Sequence, residues 1–171
     1  LDLVWRGTAE VDITIGEYEY GGLFLRMPWT EGIRGEAVNA ARQRNKFAEG
    51  KRAMWMDVGL QVAGREDLAH VAIFDHPDNA GFPQPWRVDD QLGVGPVRAR
   101  MGDWQIAKGE TEEIKHRVVV YTGEQDDVEL REIFMDYGGQ GAMYATASLW
   151  GIAQQEGMEA EFLSPERAVE E

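Results

Sequence analysis

The stretch "LAHVAIFDHP" (residues 68–77) sets the fold class. An apolar run of strand length ends on Ile73 and Phe74, breaks into Asp75 and His76, and closes on Pro77, which cannot donate a ladder hydrogen bond. Three further segments read the same way, each bounded by Gly, Pro or Asp turn chemistry: "AMWMDVGLQV" (53–62), "QPWRVDDQLGVGPV" (84–97) and "KHRVVVYTG" (115–123). Between the last two, "MGDWQIAKGETEEI" (101–114) reads as a strand and a turn at Lys108 and Gly109. Upstream, Val11, Ile13 and Ile15 alternate with Glu10, Asp12 and Thr14, the period of a half-buried strand. In "YGGLFLRM" (20–27) Gly21 and Gly22 permit a turn or bulge before Leu23, Leu25 and Met27 go to one side and Phe24 and Arg26 to the other. Residues 30–52 lack sustained periodicity and are expected to form a long loop with one helical turn.

This spacing predicts a mainly β protein, an antiparallel β-sandwich, followed by one or two C-terminal α-helices. From Asp126, Leu130, Ile133, Phe134 and Tyr137 fall on one helical face, Asp126 and Glu129 have capping-box spacing, and Gly138 is the expected stop. A second, Ala-rich helix is expected over 142–155. The organisation is therefore a sandwich domain over 1–124, a helical extension packed on it over 125–156, and an acidic tail over 157–171.

At 171 residues the chain can bury one substantial core. Its 31 acidic and 17 basic residues give a net charge of -14, which repels phosphates and anionic headgroups, so neither nucleic acid nor a membrane surface is an expected partner. The absence of cysteine removes disulfides and thiolate chemistry. No run reaches the roughly 18 apolar residues of a membrane span. A soluble protein is expected, with the cytoplasm favoured. The chain starts without Met inside a strand pattern and so reads as lacking its natural beginning.

The same opening stretch supplies the candidate chemistry. His76 can exchange a proton near neutral pH and Asp75 could orient it, which makes these two the catalytic candidates. Arg26 and Asn79 are candidates for binding hydroxyls, Trp86 for stacking on the C–H face of a sugar ring, and Arg87 completes the substrate-binding set. A purely structural reading stands beside this one. An Asp-His-Pro turn can form because the aspartate bonds the backbone two residues on, Trp86 alone reads as a core residue, and His70 and His116 read as satisfied strand histidines. No metal site is expected, since the spacing in "DHPDN" (75–79) matches no standard loop, and no cofactor is called for.

"YGGLFLR", "AMWMDVGL", "HVAIFDHPDNAGFPQPWRV" and "HRVVVYTGE", in that order, resemble the second half of the bacterial PmoA-like family over residues 10–124. The resemblance implies the all-β plan of the large mutarotase-like supersandwiches, or half of one, and a saccharide as ligand. It does not imply monooxygenase activity. The family's histidine-rich first half is absent here, so the resemblance also implies a homo-oligomer or a second chain supplying that half. Two functions follow as expectations: a carbohydrate-related enzyme, or half of one, using general acid/base chemistry at His76, or a noncatalytic sugar-binding or assembly module.

Overall fold

The computed structural model describes residues 1–155, with side chains to residue 144. It divides into two compact units, Leu1–Gln125 and Asp126–Glu171. The first is mainly β and sandwich-like. Its large antiparallel sheet has the order β1-β9-β5-β4-β3, built from β1 (Asp2–Thr8), β3 (Gly35–Asn39), β4 (Trp55–Gln61), β5 (Leu68–Asp75) and β9 (Thr111–Gly123). Two small antiparallel sheets accompany it. One pairs β2 (Ile13–Ile15) with β8 (Trp104–Ile106), and the other pairs β6 (Trp86–Val88) with β7 (Val94–Pro96).

Register explains why β5 reads as a continuous apolar run. Trp55 pairs with Phe74 and Asp57 with Ala72, so His70, Ala72 and Phe74 share one face with Trp55, Asp57 and Tyr121. The other face carries Met56, Val58, Ile73, Asp75 and His116. Trp55, Phe74, Met56, Val58 and Ile73 are all buried, and a central strand covered on both sides has no reason to alternate.

Several expectations need correction. The half-buried strand expected over 9–15 is the three-residue β2, all of it exposed, while the longer strand is β1 just before it. Residues 20–27 form no named strand, only a bridge between Leu25 and Val94. The expected loop over 30–52 contains β3, whose small residues gave no period to read, as well as the helical turn, which is the 3-10 segment Asn45–Phe47. "QPWRVDDQLGVGPV" is a hairpin of β6 and β7 rather than one strand.

In the second unit, α1 (Asp127–Gln155) begins where the capping pattern placed it. The Asp126 carboxylate accepts from the Val128 and Glu129 amides at 2.8 and 3.2 Å, which satisfies two donors that lack helical partners. The break falls at Gly139 (φ 53°, ψ -136°), one residue past the expected stop, so α1 is two helices joined at that glycine. The acidic tail expected over 157–171 lies outside the described residues.

Gly59 is fixed by packing across the β4–β5 pair. A Cβ there would lie 2.6 Å from His70 Cε1, so the missing side chain makes room for a buried imidazole. Gly59→Ala is expected to destabilise the fold by about 1–3 kcal/mol through overpacking, measured as a lower urea midpoint with unchanged m-value.

Candidate functional site

The loop leaving β5 is pinned from three directions. Asp75 is completely buried, and its two carboxylate oxygens accept from Asn79 Nδ2 at 2.7 Å and from the Gln84 amide at 2.9 Å. Asn79 also bonds both polar groups of the Lys115 backbone, donating to its carbonyl at 2.7 Å and accepting from its amide at 2.8 Å. Arg52 donates to the carbonyls of Gly81, Phe82 and Pro83 at 2.7–3.3 Å. Asp75 and Asn79 thus close the loop onto β9, and neither is available to a ligand. The expected aspartate turn is also different in detail, because the group bonded two residues on is His76, whose Nδ1 accepts from the Asp78 amide at 3.0 Å.

His76 is the one member of the expected catalytic pair that reaches the surface, with 12 % of its side chain exposed. Its neighbouring carboxylate is Asp78, with Oδ2 3.5 Å from Nδ1. Asp78 also meets Lys115 Nζ at 3.1 Å. Trp86 requires a larger correction. It is fully buried and its indole donates to the Ala53 carbonyl at 2.8 Å, so the ring fills the core and presents no face for stacking.

Two of the expected binding residues each lie against an aromatic ring. Arg87 pairs with Gly95 across the β6–β7 ribbon, and the segment from Tyr20 to Arg26 runs over that ribbon. A Cβ on Gly93 would strike the Phe24 ring at 2.6 Å, and one on Gly95 would strike the Leu23 carbonyl at 2.0 Å, so both glycines are needed for the segment to lie there. The guanidinium of Arg87 then sits 5.1 Å from the Tyr20 ring centre, and that of Arg26 sits 5.6 Å from Phe24, both within cation–π range. Tyr18 meets Tyr20 edge to face at 5.5 Å, and these two tyrosines are 63 % and 48 % exposed. Glu49 holds Arg87 by accepting from it at 3.0 Å, and also accepts from Arg100 at 2.7 Å and from the Val88 amide. Burial alone would raise the Glu49 carboxyl, but these three donors outweigh it and hold the group below its usual range. The Glu49 bond in turn raises Arg87.

Sequence reading missed Tyr18, Tyr20 and Glu49. The first two were legible as aromatics beside Gly21 and Gly22, but nothing local tied them to Arg87, which is 67 residues away from Tyr20. Among the described residues no three His, Asp or Glu side chains gather as a metal site, and no helix is long and apolar enough to cross a membrane.

The family model that matches the chain is described as "Family of unknown function (DUF6807)" and covers residues 1–135. No curated protein and no solved structure matches. The match carries no PmoA-like label, which overturns the resemblance stated above, and with it goes the argument for a missing histidine-rich half.

Asp75 pairs in register with His116, whose Nδ1 lies 3.8 Å from Asp75 Oδ1 without a hydrogen-bond partner. Burial raises Asp75 to about 7, against the pull of Asn79 and the Gln84 amide. It lowers His116 to about 4, with the Phe74 backbone opposing and the His76 charge adding. Between pH 4 and 6.5 the unfolded pair holds one proton on histidine and the folded pair holds one on aspartate. Folding therefore moves a proton between them without net uptake, and stability from this pair is flat across that window. Asp75→Asn should expose the histidine alone, so stability falls as pH drops from 6.5 towards 4, with a slope approaching about 1.4 kcal/mol per pH unit. His116→Gln should give the opposite slope, with stability falling as pH rises from 4 to 7. Urea titrations at each pH measure both.

Proposed function

The chain belongs to the Family of unknown function (DUF6807), which prescribes no reaction, and we propose that it is a saccharide-binding module whose platform is Tyr18, Tyr20, Arg26 and Arg87. The observation that carries this reading is the exposed edge-to-face pair of Tyr18 and Tyr20, with an arginine laid over one ring. A tyrosine face stacks on the C–H side of a sugar ring, while phenol and guanidinium donors reach its hydroxyls. Glu49 restrains Arg87 before a ligand arrives, which lowers the side-chain entropy lost on binding. An exposed aromatic patch suits a chain of sugar units better than a single small molecule.

A second reading keeps His76 as a general acid/base, supported by its partial exposure and by Asp78 beside it. The two separate cleanly. Isothermal titration against a panel of neutral oligosaccharides should show binding that weakens about tenfold in Tyr20→Ala, a loss of about 1.4 kcal/mol. His76→Gln should leave that binding unchanged, with no sugar consumed by either protein. Absence of binding to every oligosaccharide would sink the proposal, and sugar turnover lost in His76→Gln would favour the second reading.

A further inference from the structure

The two edges of the large sheet are treated differently. Along β3 the outward amides are occupied by the chain itself: Ala37 donates to Asn45 Oδ1 at 2.9 Å, Asn39 donates to the Gln43 carbonyl at 3.0 Å, and Val38 bridges Arg44. Along β1 no described strand lies outside. Leu1 and Val118 exchange two hydrogen bonds and the Ala9 amide donates to Glu110, so the alternation of an antiparallel ladder turns the odd-numbered residues towards β9. The amides and carbonyls of Asp2, Val4, Arg6 and Thr8 therefore face away from the sheet. Edge strands are commonly blunted by charged side chains, lysine above all, by proline or by a bulge, and the charges of β1 are Asp2 and Arg6, each already paired with a residue of β9. β1 contains neither lysine nor proline, pairs without a break from Asp2 to Thr8, and exposes Val4 and Trp5 by 61 % and 55 %.

We propose that β1 is a self-association edge that pairs antiparallel with β1 of a second copy about a twofold axis through Val4. The argument for a second copy is charge complementarity. In "DLVWR" (2–6) the charges stand two residues to either side of Val4 with opposite sign. A twofold at Val4 sets Asp2 opposite Arg6 of the second copy, Leu3 opposite Trp5, and Val4 opposite itself. Asp2 already accepts from Arg117 at 2.7 and 3.0 Å, and Arg6 already bonds Glu113. Across the seam the order becomes Arg117, Asp2, Arg6, Glu113, an unbroken alternation of sign. Moving the register by two residues either way puts Val4 opposite Asp2 or Arg6 and loses the pairing of charges. Only steps of two are open, because the outward hydrogen-bonding groups sit on alternate residues. Val4 then becomes a hydrogen-bonded pair across the axis, and the two five-stranded sheets join into one.

A paired strand edge buries less than the roughly 1,600 Å² of a standard stable interface, so the dimer is expected to be weak and concentration-dependent. Sedimentation equilibrium of the full chain should show reversible doubling of mass. Val4→Pro removes an outward amide and no bond to β9, and should return the protein to monomer with an unchanged circular dichroism spectrum. Because the chain has no cysteine, Val4→Cys introduces a single thiol, which should form a disulfide-linked dimer under mild oxidation. Thr8→Cys, which lies beyond the paired residues, should not. A wild-type chain that stays monomeric up to about 1 mM, where association would be worth only about 4 kcal/mol, would overturn the proposal. So would equal cross-linking of the two cysteine variants, or a folded Val4→Pro protein that still doubles. Should Val4→Pro unfold, the cysteine pair decides alone.

Discussion

A carboxyl group with no exposure to water has to be hydrogen-bonded, protonated, or both, and Asp75 at the end of β5 imposes that requirement on everything around it. Its two oxygens take donors from Asn79 and Gln84, four and nine residues downstream, which fixes both ends of the loop between β5 and β6. Asn79 then ties the loop to the Lys115 backbone, and Arg52 holds three successive carbonyls of the loop's far limb. With the limb placed, the Trp86 amide bonds the Lys51 carbonyl and the indole bonds Ala53, so the tryptophan enters the core as the loop ends. The next residue, Arg87, emerges on the ribbon face where Tyr20 and Glu49 receive it. The aromatic platform thus depends on a carboxyl group that no ligand can touch.

The strands were legible where a turn former closes an apolar run: β4, β5 and β8 lie where Gly, Pro or Asp punctuation placed them, and β9 ends at the expected Gly123 but begins four residues earlier, at Thr111. β3 was not, because Gly35, Ala37 and Asn39 present small or polar side chains whose burial comes from long-range packing rather than from a local period. The helix start was legible because its cap is a local hydrogen bond from the Val128 amide to Asp126, which spacing alone specifies. For the site, the sequence misjudged the exposure of Asp75, Asn79 and Trp86. Asp75, Asn79 and Trp86 are polar or amphipathic residues in a turn-rich stretch, a pattern shared by ligand sites and by buried loop anchors. What separates the two is whether donors and acceptors are satisfied internally, and the partners here are Gln84, Lys115 and Ala53, up to 36 residues away. Arg26 lies against Phe24 and Arg87 against Tyr20.

The same sheet holds two aspartate–histidine pairs with opposite outcomes. Between Asp57 and His70 the Nδ1 to Oδ2 distance is 2.7 Å, and although burial pulls the imidazole down, this hydrogen bond, the Asp57 and Glu124 charges and the Gly123 backbone together outweigh it and His70 is raised. Between Asp75 and His116 the separation is 3.8 Å, burial is unopposed by a carboxylate bond, and His116 falls to about 4. Residue types and burial are alike, so the difference lies in competition for the carboxylate. Asp57 has an oxygen to spare for its histidine, whereas both oxygens of Asp75 are committed to the loop. Freed of that commitment, Asp75 could draw His116 into an ion pair. Held by it, Asp75 gives His116 no carboxylate bond, and burial keeps the imidazole neutral. A strand histidine's charge state therefore follows from burial together with whether its neighbouring carboxylate is free to bond it, and its own sequence position does not reveal the second.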